Sequence, residues 1–220
     1  MMEGTDNYQL RDLAIAVIDG NILVQEGYQS LLRKIGVENI QTFVSEQAFL
    51  PTLQNGQLDV YIIGIGADYA EGIAAIDEIR AKYEEARVLV VAIQEDAWLI
   101  RKIMAKQPDA VLYPNADQEE IRTALTTVAS GGKYFCRGVR HMVSRYQILP
   151  EEPTQREIDV LVAMASGFTS KEIASKLFIS ENTVEAHRKS LFAKLKARNL
   201  ADLMVKGIAH GYINPNELLG

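Results

Sequence analysis

TSKEIASKLFISENTVEAHRKSLFAKLKAR, residues 169–198, reads as two helices separated by a tight turn. Thr169 precedes Glu172 at capping-box spacing, in which the hydroxyl accepts from an early helical amide and the carboxylate accepts from the amide of the cap residue. A helix therefore starts there, with Ile173, Ala174 and Leu177 on one face. Phe178-Ile179-Ser180 breaks the period, and Ser180 has the chemistry to cap a second helix from Glu181. In that helix Val184, Leu191 and Leu195 recur at helical spacing and point inward, leaving Glu185, Arg188, Lys189 and Lys196 around the outside. From Asn182 to Arg198 one acid, Glu185, stands against Arg188, Lys189, Lys194, Lys196 and Arg198. The outline is helix-turn-helix. Its local positive charge is what a solvated face or a phosphate-contacting face would both produce.

Lys171-Glu172-Ile173-Ala174, Leu177, Ile179-Ser180, Thr183-Val184, His187 and Lys194-Leu195 together resemble the LuxR-type helix-turn-helix. The match runs upstream through Thr154-Gln155-Arg156-Glu157, Val160-Leu161 and Gly167, and covers roughly residues 150 to 212. Modules of this kind lay their second helix in the major groove of double-stranded DNA. The resemblance implies base contacts from Glu185, Ala186 and Lys189, and phosphate contacts from Lys171, Thr183, His187, Arg188 and Lys194. The chemistry agrees in part, because Lys189 can donate to guanine, Glu185 can accept from cytosine N4 and the Ala186 methyl can meet thymine. Glu185 and Lys189 are also four residues apart and can simply pair on the helix surface. His187 can pack beneath the helix instead of reaching phosphate. One such module buries little surface, so two copies on paired half-sites, hence a homodimer, are expected.

A module of this size occupies only the last third of a 220-residue chain, so a separate domain of ordinary size precedes it. Up to residue 150 there are 14 basic and 20 acidic side chains, and 9 of each follow, so the net charge of −6 belongs to the amino-terminal part. An acidic balance overall is compatible with a polyanion partner when positive charge is concentrated on one element. The single cysteine, Cys136, has no partner for an intramolecular disulfide and no metal-site spacing around it. The leader MMEGTDNYQLRD is polar, and no run approaches the ~18 apolar residues of a membrane span, so a cytoplasmic protein without membrane attachment is expected.

From Leu13 onward apolar runs of strand length alternate with helical periodicity. Strands are predicted at 13–18, 40–44, 60–65, 88–93 and 110–113, and helices at 22–35, 46–53, 70–83, 97–105 and 118–129. This is an α/β pattern: a five-stranded doubly wound parallel sheet of flavodoxin-like type, followed by a small all-α helix-turn-helix domain. Residues 1–132 form the first domain. Gly131-Gly132 ends its last helix, 133–152 is a linker with helical character from about Gly138, and 153–220 is the second domain. The stripe Leu200, Leu203, Met204 and Ile208 on a final helix suits either core packing or the pairing of two copies.

Leu23-Val24-Gln25-Glu26-Gly27, Asp59-Val60 and Ala129-Ser130-Gly131-Gly132 resemble the receiver domain of NarL/FixJ-type response regulators. In that family an acidic pair after the first strand holds Mg²⁺, an Asp on the third strand takes a phosphoryl group, and a Thr or Ser and a Lys after the fourth and fifth strands sense it. Carried across, the acidic pair becomes Asp19-Gly20, the acceptor Gly64, the hydroxyl Ala92 and the lysine Pro114. Phosphoryl transfer requires an in-line nucleophilic oxygen and cations to neutralise developing charge, so this degenerate pocket is expected to be a pseudo-receiver; Asp68, four residues past the strand end, reads as a loop or helix-cap residue sooner than as a substitute acceptor. Such a domain would serve dimerisation or respond to a protein or small-molecule regulator. The alternative is a nucleotide- or small-ligand-binding α/β domain coupled to the DNA module, because Gly64-Ile65-Gly66 lies between a strand and a helix, although Tyr69 takes the third glycine's place. His141, His187 and His210 form no catalytic or metal-ligand spacing, so neither enzyme activity nor a cofactor is expected.

Overall fold

The computed structural model describes residues 10–66, 69–92, 96–146 and 151–218, and these fall into two compact units. The first is organised by a parallel sheet. β1 (Ala14–Ile18), β3 (Val60–Ile65), β4 (Arg87–Ala92) and β5 (Ala110–Leu112) are aliphatic runs buried almost throughout, as strands covered on both faces must be. β2 (Asn39–Phe43) and β6 (Tyr134–Phe135) are more open and form the edges. The order is β2-β1-β3-β4-β5-β6, and every neighbouring pair is parallel.

The sheet therefore has six strands where five are expected from the sequence. Tyr134 pairs with Ala110 and Phe135 with Val111, and the Cys136 amide donates to the Val111 carbonyl at 3.0 Å. Two residues are too few to display alternation, so only this pairing makes the segment a strand. It lies inside the stretch assigned to the linker, which also forms α6 (Arg137–Tyr146).

The intervening helices are α1 (Ile22–Lys34), α2 (Glu46–Phe49) running into a 3-10 turn (Leu50–Asn55), α3 (Tyr69–Lys82), α4 (Ala97–Ala105) and α5 (Gln118–Ala129). Right-handed crossovers to β2 on one side of β1 and to β3 on the other require helices on opposite faces. The chain direction thus reverses beside β1, at the carboxyl ends of β1 and β3, which is where such sheets bind ligands. At the opposite ends, the Asp59 carboxylate accepts from the Ala14 amide at 2.8 Å. Asp109 accepts in the same way from Val88 at 2.8 Å. Asp59 thus satisfies the first donor of β1 and Asp109 the amide of the second residue of β4, each tying the start of a strand to the chain beside it.

The second unit contains α7 (Gln155–Ala165), α8 (Ser170–Leu177), α9 (Glu181–Lys194) and α10 (Leu200–Ala209). Val160, Leu161, Ile173, Val184, Leu191, Leu195 and Leu203 form its core. Capping boxes open α7 at Thr154–Glu157 and α8 at Thr169–Glu172, and the Ser180 hydroxyl accepts from Thr183 to open α9. No helix among the described residues is long and apolar enough to cross a membrane.

The turn between α8 and α9 depends on Phe178, which adopts a left-handed backbone conformation at φ 57° while its ring is 95% exposed. A side chain in that conformation costs about 1 to 2 kcal/mol, and this ring gains almost nothing from burial in return. Phe178→Gly is therefore expected to stabilise the unit by about 0.5 to 1 kcal/mol after glycine's greater unfolded-state entropy is subtracted. A thermal melt checks this, and a lowered Tm would show that the ring holds a contact worth more than the strain.

Candidate nucleic-acid interface

α9 is seated by Val184, Leu191 and Leu195, all buried in the core of the second unit. That seating turns Glu185, Ala186 and Lys189 outward, where all three are exposed. Lys171 is exposed on α8, while Thr183, His187 and Arg188 are half-buried. The Thr183 amide donates to the Ser180 hydroxyl at 3.1 Å, and the two hydroxyls are 2.8 Å apart. Thr183 is thus part of the cap that begins the helix.

Glu185 pairs with Arg188, one turn along, rather than with Lys189. The Arg188 guanidinium donates to the Glu185 carboxylate at 3.0 Å and to the Ser170 hydroxyl at 2.8 Å. Ser170 in turn donates to Glu185 at 2.6 Å. Ser170 first and Arg188 second hold the Glu185 carboxyl below its ordinary range. This triad fastens the first turn of α8 to α9 and fixes the crossing of the two helices. It leaves Lys189 without an ion pair among the described residues. Ser170 is absent from the sequence-based set because a serine opening a helix carries no signal of a partner on the next one.

Lys194 departs from the expected phosphate contact. Its side chain is only 9% exposed, and its ammonium lies 2.9 Å from both Glu151 and Glu157, the latter itself 6% exposed. It donates further to the Glu152 carbonyl at 3.3 Å. A lysine consumed by three oxygens of its own chain presents no free charge to a phosphate. It clamps the end of α9 to the start of α7.

In the first unit, the Asp19 carboxylate sits at the carboxyl end of β1, 7% exposed, with one oxygen accepting from the Asn21 amide at 2.7 Å. The other lies over Gly64, so that a Cβ there would be 1.8 Å from it. Burial pushes the Asp19 carboxyl above its ordinary value, against the downward pull of the Asn21 amide. The buried Gln25 amide donates to the carbonyls of Asp19 and Phe43 at 2.6 and 3.1 Å, tying the ends of β1 and β2 together. Ala92 ends β4 and Pro114 follows β5, and neither supplies a polar side chain. Asp68 lies outside the described residues. Gly64 is a strand residue paired with Val91, so the glycine turn required for a nucleotide-binding loop is absent at that position.

The model for bacterial regulatory proteins of the luxR family matches residues 153–206, and that for the response regulator receiver domain matches residues 15–126, more than half of the chain. The chain is a response regulator. Its relatives include the transcriptional regulatory protein MctR of Rhizobium johnstonii, 29% identical over 92% of this chain and 96% of MctR. The nitrate/nitrite response regulator protein NarP of Escherichia coli is 25% identical, covering 84% and 89% of the two chains. In fold, the response regulator is similar to RcsB from Salmonella enterica serovar Typhimurium solved bound to promoter rprA in the presence of phosphomimetic BeF3−, with a TM-score of 0.64 at 21% identity over 91% and 99% of the chains. A structure of two RcsB dimers bound to two parallel DNAs is similar to the same degree, with a TM-score of 0.64 at 21% identity over 88% and 96%.

Proposed function

We propose that this response regulator is a sequence-specific transcription regulator that binds double-stranded DNA as a homodimer and is not switched by aspartyl phosphorylation. The observation that carries the DNA-binding half is the outward row Glu185, Ala186 and Lys189 on a helix held by its apolar underside. RcsB, solved as dimers bound to DNA, lends support through its fold. Lys189 reads a base, and Lys171 and Arg188 with Thr183 and His187 meet phosphates. Lys189→Ala is expected to weaken specific binding by about 1 to 3 kcal/mol and to relax sequence preference. Selection of bound sequences from a random duplex pool, repeated with the variant, checks this. An equal loss on selected and random DNA would remove the base-reading role.

The second half rests on the pocket beside β1. Mg²⁺ does not fit the residues present: position 20 is glycine, and Asp19 offers one buried carboxylate already hydrogen-bonded to Asn21. No cluster of three His, Cys, Asp or Glu side chains exists among the described residues. Hard divalent sites of this kind use one or two carboxylates together with substrate oxygens, and here neither acceptor nor cationic sensor accompanies Asp19. The receiver unit therefore serves assembly or answers to a protein or small-molecule regulator. Incubation with acetyl phosphate and Mg²⁺ is expected to leave the intact mass unchanged, whereas an acid-labile phosphate adduct would overturn this half.

A further inference from the structure

Charge along the chain changes sign abruptly at the end of the receiver unit. Residues 1–132 carry 10 basic and 20 acidic side chains, whereas 133–150 carry Lys133, Arg137, Arg140 and Arg145 and no Asp or Glu. Arg137, Arg140 and Arg145 belong to α6, and Lys133 immediately precedes β6. The inner side of α6 is seated by Val139, fully buried, and by Gly138, where a Cβ would lie 2.6 Å from the Tyr113 ring. Arg137, Arg140, His141 and Ser144 recur at three- and four-residue spacing on the other side, and all four are exposed, as is Lys133 just before the strand.

Among the described residues Lys133, Arg137 and Arg140 have no ion pair. Glu120, a carboxylate that reaches the segment, accepts instead from the Tyr134 hydroxyl at 3.0 Å. Arg137 and Arg140 are like charges three residues apart on one helix, a mildly unfavourable pairing that a polyanion would relieve.

We propose that the outer face of α6, with Lys133, is a second phosphate-binding element, which neutralises duplex backbone beside the site gripped by α8 and α9. The proposal rests on the DNA-binding reading above. Chain length selects DNA as the occupant. Tyr146 and Gln155 are joined by so short a segment that their separation cannot exceed about 32 Å at full extension. When α9 is docked, α6 is therefore confined near a rod that carries one negative charge per about 1.7 Å of axis, at high effective concentration. The competing occupant is the acidic receiver unit of a second copy.

The test is a salt series of binding titrations with the full chain on a random-sequence duplex. Each lost phosphate contact reduces the slope of log K against log salt by about 0.9. R137Q/R140Q is thus expected to lower the slope by nearly two and to weaken low-salt binding about ten-fold, while R137K/R140K keeps the wild-type slope. An unchanged slope in a glutamine variant that melts like the wild type overturns the proposal. So does a slope change that disappears when wild type and variant are compared at equal dimer fraction by sedimentation, because that outcome assigns the face to a second copy. If the wild type binds no duplex, the underlying DNA-binding reading fails instead, which is a distinguishable result.

Discussion

Glu157→Ala is expected to cost the helix-turn-helix unit about 3 to 5 kcal/mol, as breaking a buried ion pair from one side does. The Glu157 carboxylate accepts from the Thr154 amide at 2.6 Å, the Thr154 hydroxyl at 3.0 Å and the Lys194 ammonium at 2.9 Å. Removing it uncaps α7 and strips a nearly buried ammonium of its better-enclosed partner, leaving the exposed Glu151. Burial alone would raise this carboxyl, but hydrogen bonds from Ser190, Thr154 and Lys194 outweigh it and hold the group at about 2. The folded pKa is depressed, so the stabilisation is fully present above the unfolded value near 4.5 and is lost as pH falls from there through about 2. The implied contribution is on the order of 3 kcal/mol. Urea unfolding of the full chain, with hydrogen exchange of α7 and α9 as local readout, should give wild type and Glu157→Ala curves that converge as pH falls. Lys194→Ala should likewise lower stability. If it instead reduces only the salt dependence of DNA binding, Lys194 is a phosphate contact and the clamp is of little consequence.

What the sequence discloses here is local, and what it hides is at long range. β3 runs from Val60 to Ile65, as its uninterrupted apolar run predicts. The Thr169–Glu172 and Ser180 caps are equally legible, because each cap is complete within a few residues. Thr154–Glu157 has the same spacing and could have been recognised as a cap by the same rule. Lys194 could not: its partner is 37 residues away, and a lysine on a basic helix carries no mark that its charge is already spent. Glu185 has cations three and four residues ahead, and the choice of Arg188 is made by Ser170, 15 residues back on another helix. β6 becomes a strand only through β5. The glycine at position 64 is visible in the sequence, whereas the carboxylate that lies over it comes from 45 residues upstream.

That filled space makes Gly64→Asp an informative attempt at restoring the family pocket, and the expected result is a damaged receiver unit that takes up no phosphate. The new Cβ would lie 1.8 Å from one Asp19 oxygen, 2.6 Å from its Cγ and 3.1 Å from its Cβ, so rotation of the carboxylate alone does not clear it. Asp19 is also held by the Asn21 amide and sits at the end of a strand in register with β3. Gly64→Ala isolates the steric component, about 1 to 3 kcal/mol of overpacking. Gly64→Asp adds a second carboxylate where burial already pushes the first above its ordinary value, for a total of about 3 to 5 kcal/mol at neutral pH. The charge component has the opposite pH sign to that of Glu157. It is present above the raised folded pKa and is relieved as pH falls and the pair takes up a proton. Adding Asp19→Gly to Gly64→Asp removes the collision and should recover most of the stability, without phosphate uptake, because Ala92 and Pro114 still supply no hydroxyl and no cation. Thermal melts of the three variants, with intact mass after acetyl phosphate, decide the matter: a Gly64→Asp protein as stable as the wild type would mean that Asp19 does not occupy the acceptor's place.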